Sequence, residues 1–357
     1  MKKLEQSFFF FCLLLKSKSS ILSPLFIFFY ERGRVQMIRL ALQLVAFTII
    51  LIITIGVIKN PYTTNYVDTL KQSAITVSKQ RDPLYLEIEQ RKNEYEVAPA
   101  DARVDKVWKA MPGLNGLKVN AAESYKRMKK EGRFMPEKLV FDEVPPKVTL
   151  DDLPPSPIYR GHPDKPMVTF LINVAWGNEY IPTMLKTLEK HHVTATFFLD
   201  GSWVKKYPEL AKMIVDAGHE IGNHAYSHPD MKNLSSEGIK EEIVKTNEVI
   251  KATTGITPKW FAPPSGSYND EVVKIAAEEN MKVIMWTVDT VDWRKPDPVT
   301  MVNRVVNKVS AGNMILMHPT SSTANGLESL ILRIKEKEYQ LANVSTLLSE
   351  ERVKIKK

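Results

Sequence analysis

The sequence contains a single cysteine, Cys12, among its 357 residues. Nothing downstream of that residue can form an intramolecular disulfide or a cysteine-based zinc site. This scarcity suits an exported protein that needs no disulfides, although many cytosolic chains share it. The composition, with 44% hydrophobic and 25% charged residues, excludes a disordered chain, a collagen and a coiled coil. The length is sufficient for a sizeable folded core and an additional region.

The C-terminal half of the chain lacks an excess of charge of either sign. The formal net charge of +8 divides into +6 for residues 1–60, +2 for residues 61–165 and 0 for residues 166–357. A nucleic-acid-binding protein concentrates its positive charge on the folded domain. The distribution therefore argues against nucleic acid as a partner.

One stretch near the N-terminus has no charged residue. Residues 40–58 are apolar apart from Gln43 and two threonines, and Arg39 and Lys59 flank them. As a helix, this stretch would span roughly 28 Å, about one hydrocarbon core. We predict an uncleaved signal-anchor over residues 37–59, with the C-terminal domain outside the cytoplasm in a single-pass protein of the cell membrane. A cleaved signal peptide and a buried core helix are the alternatives.

The segments on either side of the apolar stretch carry no catalytic motif. We interpret residues 1–36 as an over-extended start, because Met37 would begin a complete signal-anchor. Residues 60–143 are predicted to form a small accessory region, helical or α+β, in which residues 101–108 have helical spacing. Short strands are predicted at residues 117–120 and 138–141. Residues 144–166 contain seven prolines, which indicates an extended linker.

From residue 167 to residue 350, apolar strand patterns alternate with helical patterns. Strands are predicted at 168–174, 195–201, 219–224, 260–264, 282–289 and 313–318, and helices at 181–191, 207–216, 236–253, 270–279, 299–309 and 327–337. Such alternation predicts a parallel sheet that can close as an α/β barrel. Polar residues gather at the ends of these strands, namely Asn173, His224, Asp289 and His318. Ligands of α/β barrels bind at that edge.

The strongest local motif is the pair His224 and His228. Two histidines four residues apart can face one side of a helical turn and share a metal ion as neutral imidazoles. The pair alone is weak evidence, because such spacings often arise by chance. Other motifs accompany it in order along the chain: APPSGSYN at 262–269, DTVDW at 289–293 and LMHP at 316–319.

This ordered set resembles the NodB-homology polysaccharide deacetylases, carbohydrate esterase family 4, over residues 166–350. The resemblance implies a distorted (β/α) TIM-like barrel that binds Zn²⁺ or a similar ion and deacetylates chitin-like or peptidoglycan glycans. It places the family's metal-binding histidines at His224 and His228. It also places the catalytic acid at His318, with Asp292 holding the imidazole.

The family's first motif, Thr-Phe-Asp-Asp-Gly-Pro, falls here on residues without either aspartate. The first aspartate, the base, is replaced by Asn173, and the second, a metal ligand, by Val174. Ala262 stands where the family has an arginine that would orient the base. Loss of a general base typically costs about 10²–10⁴ in rate. Two histidines without a carboxylate make a poor zinc site, so we expect Zn²⁺ to bind weakly or not at all.

Three carboxylates are candidate replacements for the missing ligand, namely Glu179, Glu220 and Asp200, and the sequence favours none of them. Four residues are predicted to contact substrate: Trp293, Leu316, Trp176 and Tyr226. The resemblance implies that the first two line the acetyl pocket, and aromatic faces pack on sugar rings. Core packing is the alternative for the tryptophans, and it is the expectation for Trp286, which lies inside a predicted strand.

These observations predict a membrane-anchored, deacetylase-like protein that binds N-acetylated cell-wall glycan, peptidoglycan or chitin-like, with impaired or no hydrolysis. An active metal-dependent N-deacetylase with a rewired site is the first alternative. A non-enzymatic scaffold, whose barrel contacts only proteins, is the second.

Overall fold

The computed structural model describes residues 39, 42–52, 66 and 82–353. Residues 42–52 are helical, and no helix within the described ranges is long and apolar enough to cross a membrane. The predicted over-extended start and residues 53–59 of the predicted signal-anchor lie outside the described residues. Residues Glu87–Lys357 belong to one compact unit.

The accessory region is α+β. Its elements are α1 (Pro83–Arg91), β1 (Arg103–Asp105), β2 (Lys109–Met111), β3 (Gly116–Val119), α2 (Ala121–Met128) and β4 (Phe141–Val144). The strands pair antiparallel, β1 with β2 and β3 with β4. Helix α2 begins where the side chain of Asn120 accepts the backbone N–H of Glu123 at 3.0 Å, a typical N-terminal cap.

Two predictions for this region need correction. The helix predicted over residues 101–108 is wrong, because the Asp105 carboxylate accepts the backbone N–H groups of Val107 and Trp108 at 2.8 and 2.9 Å and closes a turn there. The strand predicted at residues 138–141 begins only at Phe141, since Pro136–Lys138 form a 3₁₀ helix. The strand predicted at residues 117–120 is confirmed as β3.

An eight-stranded parallel sheet forms the second part of the unit. Its strands are β5 (Met167–Val174), β6 (Thr196–Leu199), β7 (Glu220–Asn223), β8 (Trp260–Phe261), β9 (Lys282–Val283), β10 (Val288–Asp289), β11 (Met314–Met317) and β12 (Gln340–Leu341). The order is β10-β11-β5-β6-β7-β8-β9, and β12 also pairs with β5. The sheet is therefore a curled, open form of the predicted barrel.

Helices connect these strands. They are α3 (Ile181–Lys190), α4 (Gly201–Lys206), α5 (Pro208–Asp216), α6 (Ser236–Thr254), α7 (Asp270–Glu278), α8 (Pro298–Val306), α9 (Ser321–Glu336) and α10 (Val344–Leu348). Helix α9 starts earlier than the predicted residue 327, because the hydroxyl of Thr320 accepts the backbone N–H of Thr323 at 3.1 Å and caps it.

The strand predicted over residues 282–289 is interrupted. Its two ends pair with different neighbours, since Ile284 donates its backbone N–H to Phe261 of β8 while Thr287 donates to Met314 of β11. The segment therefore changes pairing partner midway, and only β9 and β10 remain as strands.

Strand β5 is buried along its whole length, as expected for a central parallel strand. Successive side chains point to opposite faces. Ile172 and Val174 belong to the apolar cluster that includes Ile181 of α3, whereas Leu171 belongs to a second cluster. Asn173 lines a cavity at the carboxyl end of the sheet. The side chain of Val174 thus faces the helices, and that of Asn173 faces the cavity.

The pH dependence of stability can be tested at His219. This residue is buried, and burial lowers its pKa from 6.5 to about 4. Because the fold holds the neutral imidazole, the stabilisation is present above pH 6.5 and is lost as the pH falls towards 4. We expect a loss of up to about 3 kcal/mol in the free energy of unfolding over that window.

The free energy of unfolding can be measured by urea unfolding of the full chain and of His219→Gln at several pH values. The variant should be less stable near pH 7, and the difference should shrink towards pH 4. Identical pH profiles for the two proteins would rule out the assigned role of burial at His219.

Candidate functional site

A cavity of about 440 Å³ lies at the carboxyl ends of the strands, at the edge where ligand-binding residues were predicted. Its lining consists of Asn173, Ala175, Trp176, His224, His228, Ser265, Trp286, Asp289, Trp293, Leu316 and His318. The volume is within the range of small-molecule sites. Seven of the residues predicted as site residues contribute to this lining: Asn173, Trp176, His224, His228, Trp293, Leu316 and His318.

The remaining predicted site residues, Val174, Ala262, Asp292 and Tyr226, lie outside this lining. Val174 packs in the helix-facing cluster, so its side chain does not stand beside the histidines. Ala262 is buried and contributes a backbone carbonyl to the site. The ring of Tyr226 lies under the ammonium group of Lys245, 4.0 Å from its nitrogen.

Asp292 is completely buried behind His318 and holds it. One carboxylate oxygen pairs with Nδ1 of His318 at 2.8 Å. The other accepts the backbone N–H of His318 and the hydroxyl of Thr323, each at 2.6 Å. Bonds of this kind to a carboxylate are short and strong. They fix the imidazole plane and leave Nε2 as the nitrogen that Asp292 does not contact.

Asn173 occupies the position of the predicted base. Its side-chain oxygen is buried and has no hydrogen-bond partner within the described part of the chain. Buried polar atoms in folded proteins are nearly always paired. Asn173 also lines the cavity, so its side chain places an amide where the family pattern has a carboxylate.

The two histidines lie beside each other, with ring centroids 5.1 Å apart. Nδ1 of His224 donates to the carbonyl oxygen of Ala262 at 2.7 Å. Burial lowers the pKa of His224 to about 3, which keeps the ring neutral. An imidazole oriented in this way presents Nε2 as metal ligands do. His224 therefore has the geometry of a ligand.

Two carboxylates lie near these imidazoles without completing a metal site: Asp289 lines the same cavity, and Asp200 interacts electrostatically with His228. Within the described ranges, no group of three or more His, Cys, Asp or Glu residues could hold a metal ion. Glu220, at the opposite end of β7, accepts hydrogen bonds from Thr196 and Trp260. Asp200 caps α4 through the backbone N–H of Trp203 at 2.9 Å. The residues present do not fit the Zn²⁺ site that the family pattern implies.

Trp176 and Trp293 lie at the cavity and are 44% and 49% exposed, so core packing is excluded for both. The ring of Trp176 stacks on His318, with centroids 5.8 Å apart and an angle of 8° between planes. Trp286, which was expected in the core, is half-buried and also lines the cavity. Its position follows from the change of strand partner between β9 and β10.

Three supporting residues escaped the sequence analysis. Glu242 of α6 accepts the backbone N–H groups of Tyr226 and Ser227 at 2.7 and 2.8 Å, which holds the loop between the histidines. Thr323 supports Asp292. Ser265 lines the cavity with a left-handed backbone, φ 55°. Only Ser265, inside the APPSGSYN motif, had a sequence signal.

The comparisons with known proteins agree with this geometry. A profile of the family described as polysaccharide deacetylase matches residues 160–284. The chain is 52% identical over 307 residues to the uncharacterized protein YlxY of Bacillus subtilis, covering 86% of this chain and 96% of that protein. It is 34% identical to the peptidoglycan-N-acetylglucosamine deacetylase of Bacillus cereus, covering 47% of this chain and 63% of that protein.

Among solved structures, BA3943 of Bacillus anthracis is described as a pseudoenzyme of carbohydrate esterase family 4. It is 53% identical, with a TM-score of 0.74, and the match covers 76% of this chain and 97% of that one. A mutant of BA3943 is described as having restored enzymatic activity. On these matches, together with the fold and the ordered motifs, the chain belongs to the polysaccharide deacetylase family, carbohydrate esterase family 4.

Proposed function

We propose that this protein is membrane-anchored, faces the cell wall and binds N-acetylated glycan with impaired or no hydrolysis. The observation that carries the proposal is the amide side chain of Asn173, which lines the cavity at the position of the base. Family membership and the likeness to a pseudoenzyme support it. The name of the Bacillus cereus relative supports peptidoglycan as the glycan. The anchoring rests on the apolar stretch of residues 40–58.

Binding follows from the groups that face the cavity. The side chain of Asn173 lines the cavity, and its amide can hydrogen-bond to an acetamido group or a sugar hydroxyl. The exposed faces of Trp176 and Trp293 supply apolar surface for pyranose rings. An N-acetylated sugar satisfies both demands in one cavity.

Hydrolysis requires groups that this cavity does not provide. Water must be deprotonated before it attacks an acetamide, and the amide of Asn173 does not accept a proton at neutral pH. Polarisation of the carbonyl and the water by a metal would need a carboxylate beside the two histidines. The residues of the general acid, His318 and Asp292, are both present. A general acid alone, however, does not deprotonate the water that must attack the acetamide.

Binding and turnover can be measured on the same protein. We expect the full chain, purified in mild detergent, to bind N-acetylglucosamine oligomers in calorimetry and to release acetate no faster than buffer. Equilibrium dialysis against zinc should give less than one bound ion per chain. Trp293→Ala should weaken glycan binding by about tenfold, since a ring contact is worth about 1 kcal/mol or more.

Trp108→Phe is the matched control, because Trp108 lies in the accessory region and its loss should leave the affinity unchanged. Zinc-dependent acetate release by the parent would establish an active deacetylase instead. Absence of binding to both N-acetylglucosamine oligomers and peptidoglycan would favour the scaffold.

Restoring the missing groups should restore the chemistry. In Asn173→Asp/Val174→Asp/Ala262→Arg, we expect zinc to bind and acetate to be released, with zinc drawing the new carboxylate at residue 174 out of the apolar cluster and towards the two histidines. Without zinc, this variant should be less stable than Asn173→Asp/Ala262→Arg, because residue 174 faces an apolar cluster and a buried carboxylate is costly there. Zinc at 100 times its dissociation constant should add about 2.7 kcal/mol to the stability of the triple variant.

Thermal unfolding with and without zinc measures the stability of each variant. The unfolding temperature of the parent should not change when zinc is added. If the triple variant folds and binds zinc but releases no acetate, the assignment of the missing groups is wrong.

A further inference from the structure

We propose that His318 is a positioning residue in this protein: its imidazole supports Trp176, and the outer face of Trp176 binds the pyranose ring of an N-acetylated sugar. The inference rests on the proposed function and assigns a task to the retained Asp292–His318 pair. That task requires no proton transfer.

The two rings form a nearly parallel stack. Their centroids lie 5.8 Å apart, their planes differ by 8°, and this separation falls within the range of favourable aromatic contacts. The His318 side chain is 18% exposed, whereas Trp176 is 44% exposed. The imidazole therefore stacks on one side of the indole, and the indole keeps a large surface in contact with solvent.

The support is rigid. Asp292 is completely buried and contacts both the ring and the backbone of His318, and Thr323 holds the second carboxylate oxygen. One hydrogen bond thus fixes the imidazole at Nδ1, one fixes the His318 backbone, and one fixes the carboxylate, which together restrain rotation of the ring. Ordering a binding surface beforehand reduces the entropy lost when the ligand binds.

The backbone beside Trp176 is fixed as well. Gly177 has φ 81°, and a Cβ at this position would overlap the carbonyl oxygen of Pro319. Only glycine allows this approach. The segment carrying Trp176 therefore lies directly against the segment carrying His318. The backbone beside Trp176 packs against Pro319, and its indole stacks on His318.

The position of the platform suits an N-acetylated sugar. Trp176 and Asn173 line the same cavity. A pyranose stacked on the indole can therefore direct its acetamido group towards the amide side chain of Asn173. The stack and this polar contact together favour a sugar that carries an acetamido group, and a sugar without that group loses the contact.

The experiment uses the full chain labelled with 5-fluorotryptophan, in the parent and in His318→Ala, His318→Phe and Trp176→Phe. The last variant assigns the ¹⁹F resonance of Trp176 by its loss. In His318→Ala, we expect that resonance to shift and the affinity for N-acetylglucosamine oligomers to fall about fivefold to tenfold. His318→Phe keeps a flat ring and should restore most of the affinity, although it cannot donate a proton. His191→Ala removes a partly buried imidazole that pairs with Glu328 outside the cavity lining, and this control should change neither readout.

Unchanged affinity and an unchanged Trp176 resonance in His318→Ala would overturn the inference, as would a His318→Phe variant that binds as weakly as His318→Ala. Failure of the parent to bind any glycan would remove the proposed function. The ¹⁹F shift would then still decide whether His318 supports Trp176.

Discussion

The buried carboxylate of Asp292 is the contact on which the rest of the site depends. It binds His318 through the ring and the backbone and Thr323 through the hydroxyl, so it joins the end of β11 to the start of α9. His318 in turn covers one face of Trp176. A buried charge with good partners is costly to disturb, so these hydrogen bonds keep this half of the site ordered.

The opposite half of the site is determined by the end of β5. Because side chains alternate along a strand, the two positions of the missing aspartates face different surroundings. Asn173 lines the cavity, and Val174 belongs to the apolar cluster that includes Ile181 of α3. The site has therefore become apolar on one side and hydrogen-bonding on the other. Under the proposed function, an amide at residue 173 and an apolar side chain at residue 174 both favour binding of an uncharged sugar over activation of a water molecule.

The sequence was sufficient for the parts of the fold that depend on local patterns. Apolar runs predicted β5 and β11, and the polar residues at the strand ends, such as Asn173 and His318, predicted the edge that carries the cavity. Pairing of β9 and β10 with different neighbours was not predictable, because it depends on strands distant in the sequence. The support of the histidine loop by Glu242 and the stacking of Trp176 on His318 are long-range contacts for the same reason.

The most direct test of the central claim is a crystal structure of the unaltered protein, grown with excess zinc and an N-acetylglucosamine oligomer, with anomalous data collected at the zinc edge. The account predicts a sugar ring on Trp176, its acetamido N–H bonded to Asn173, and no strong anomalous peak between His224 and His228. A fully occupied tetrahedral zinc ion at those histidines, completed by a carboxylate of this chain, would contradict it.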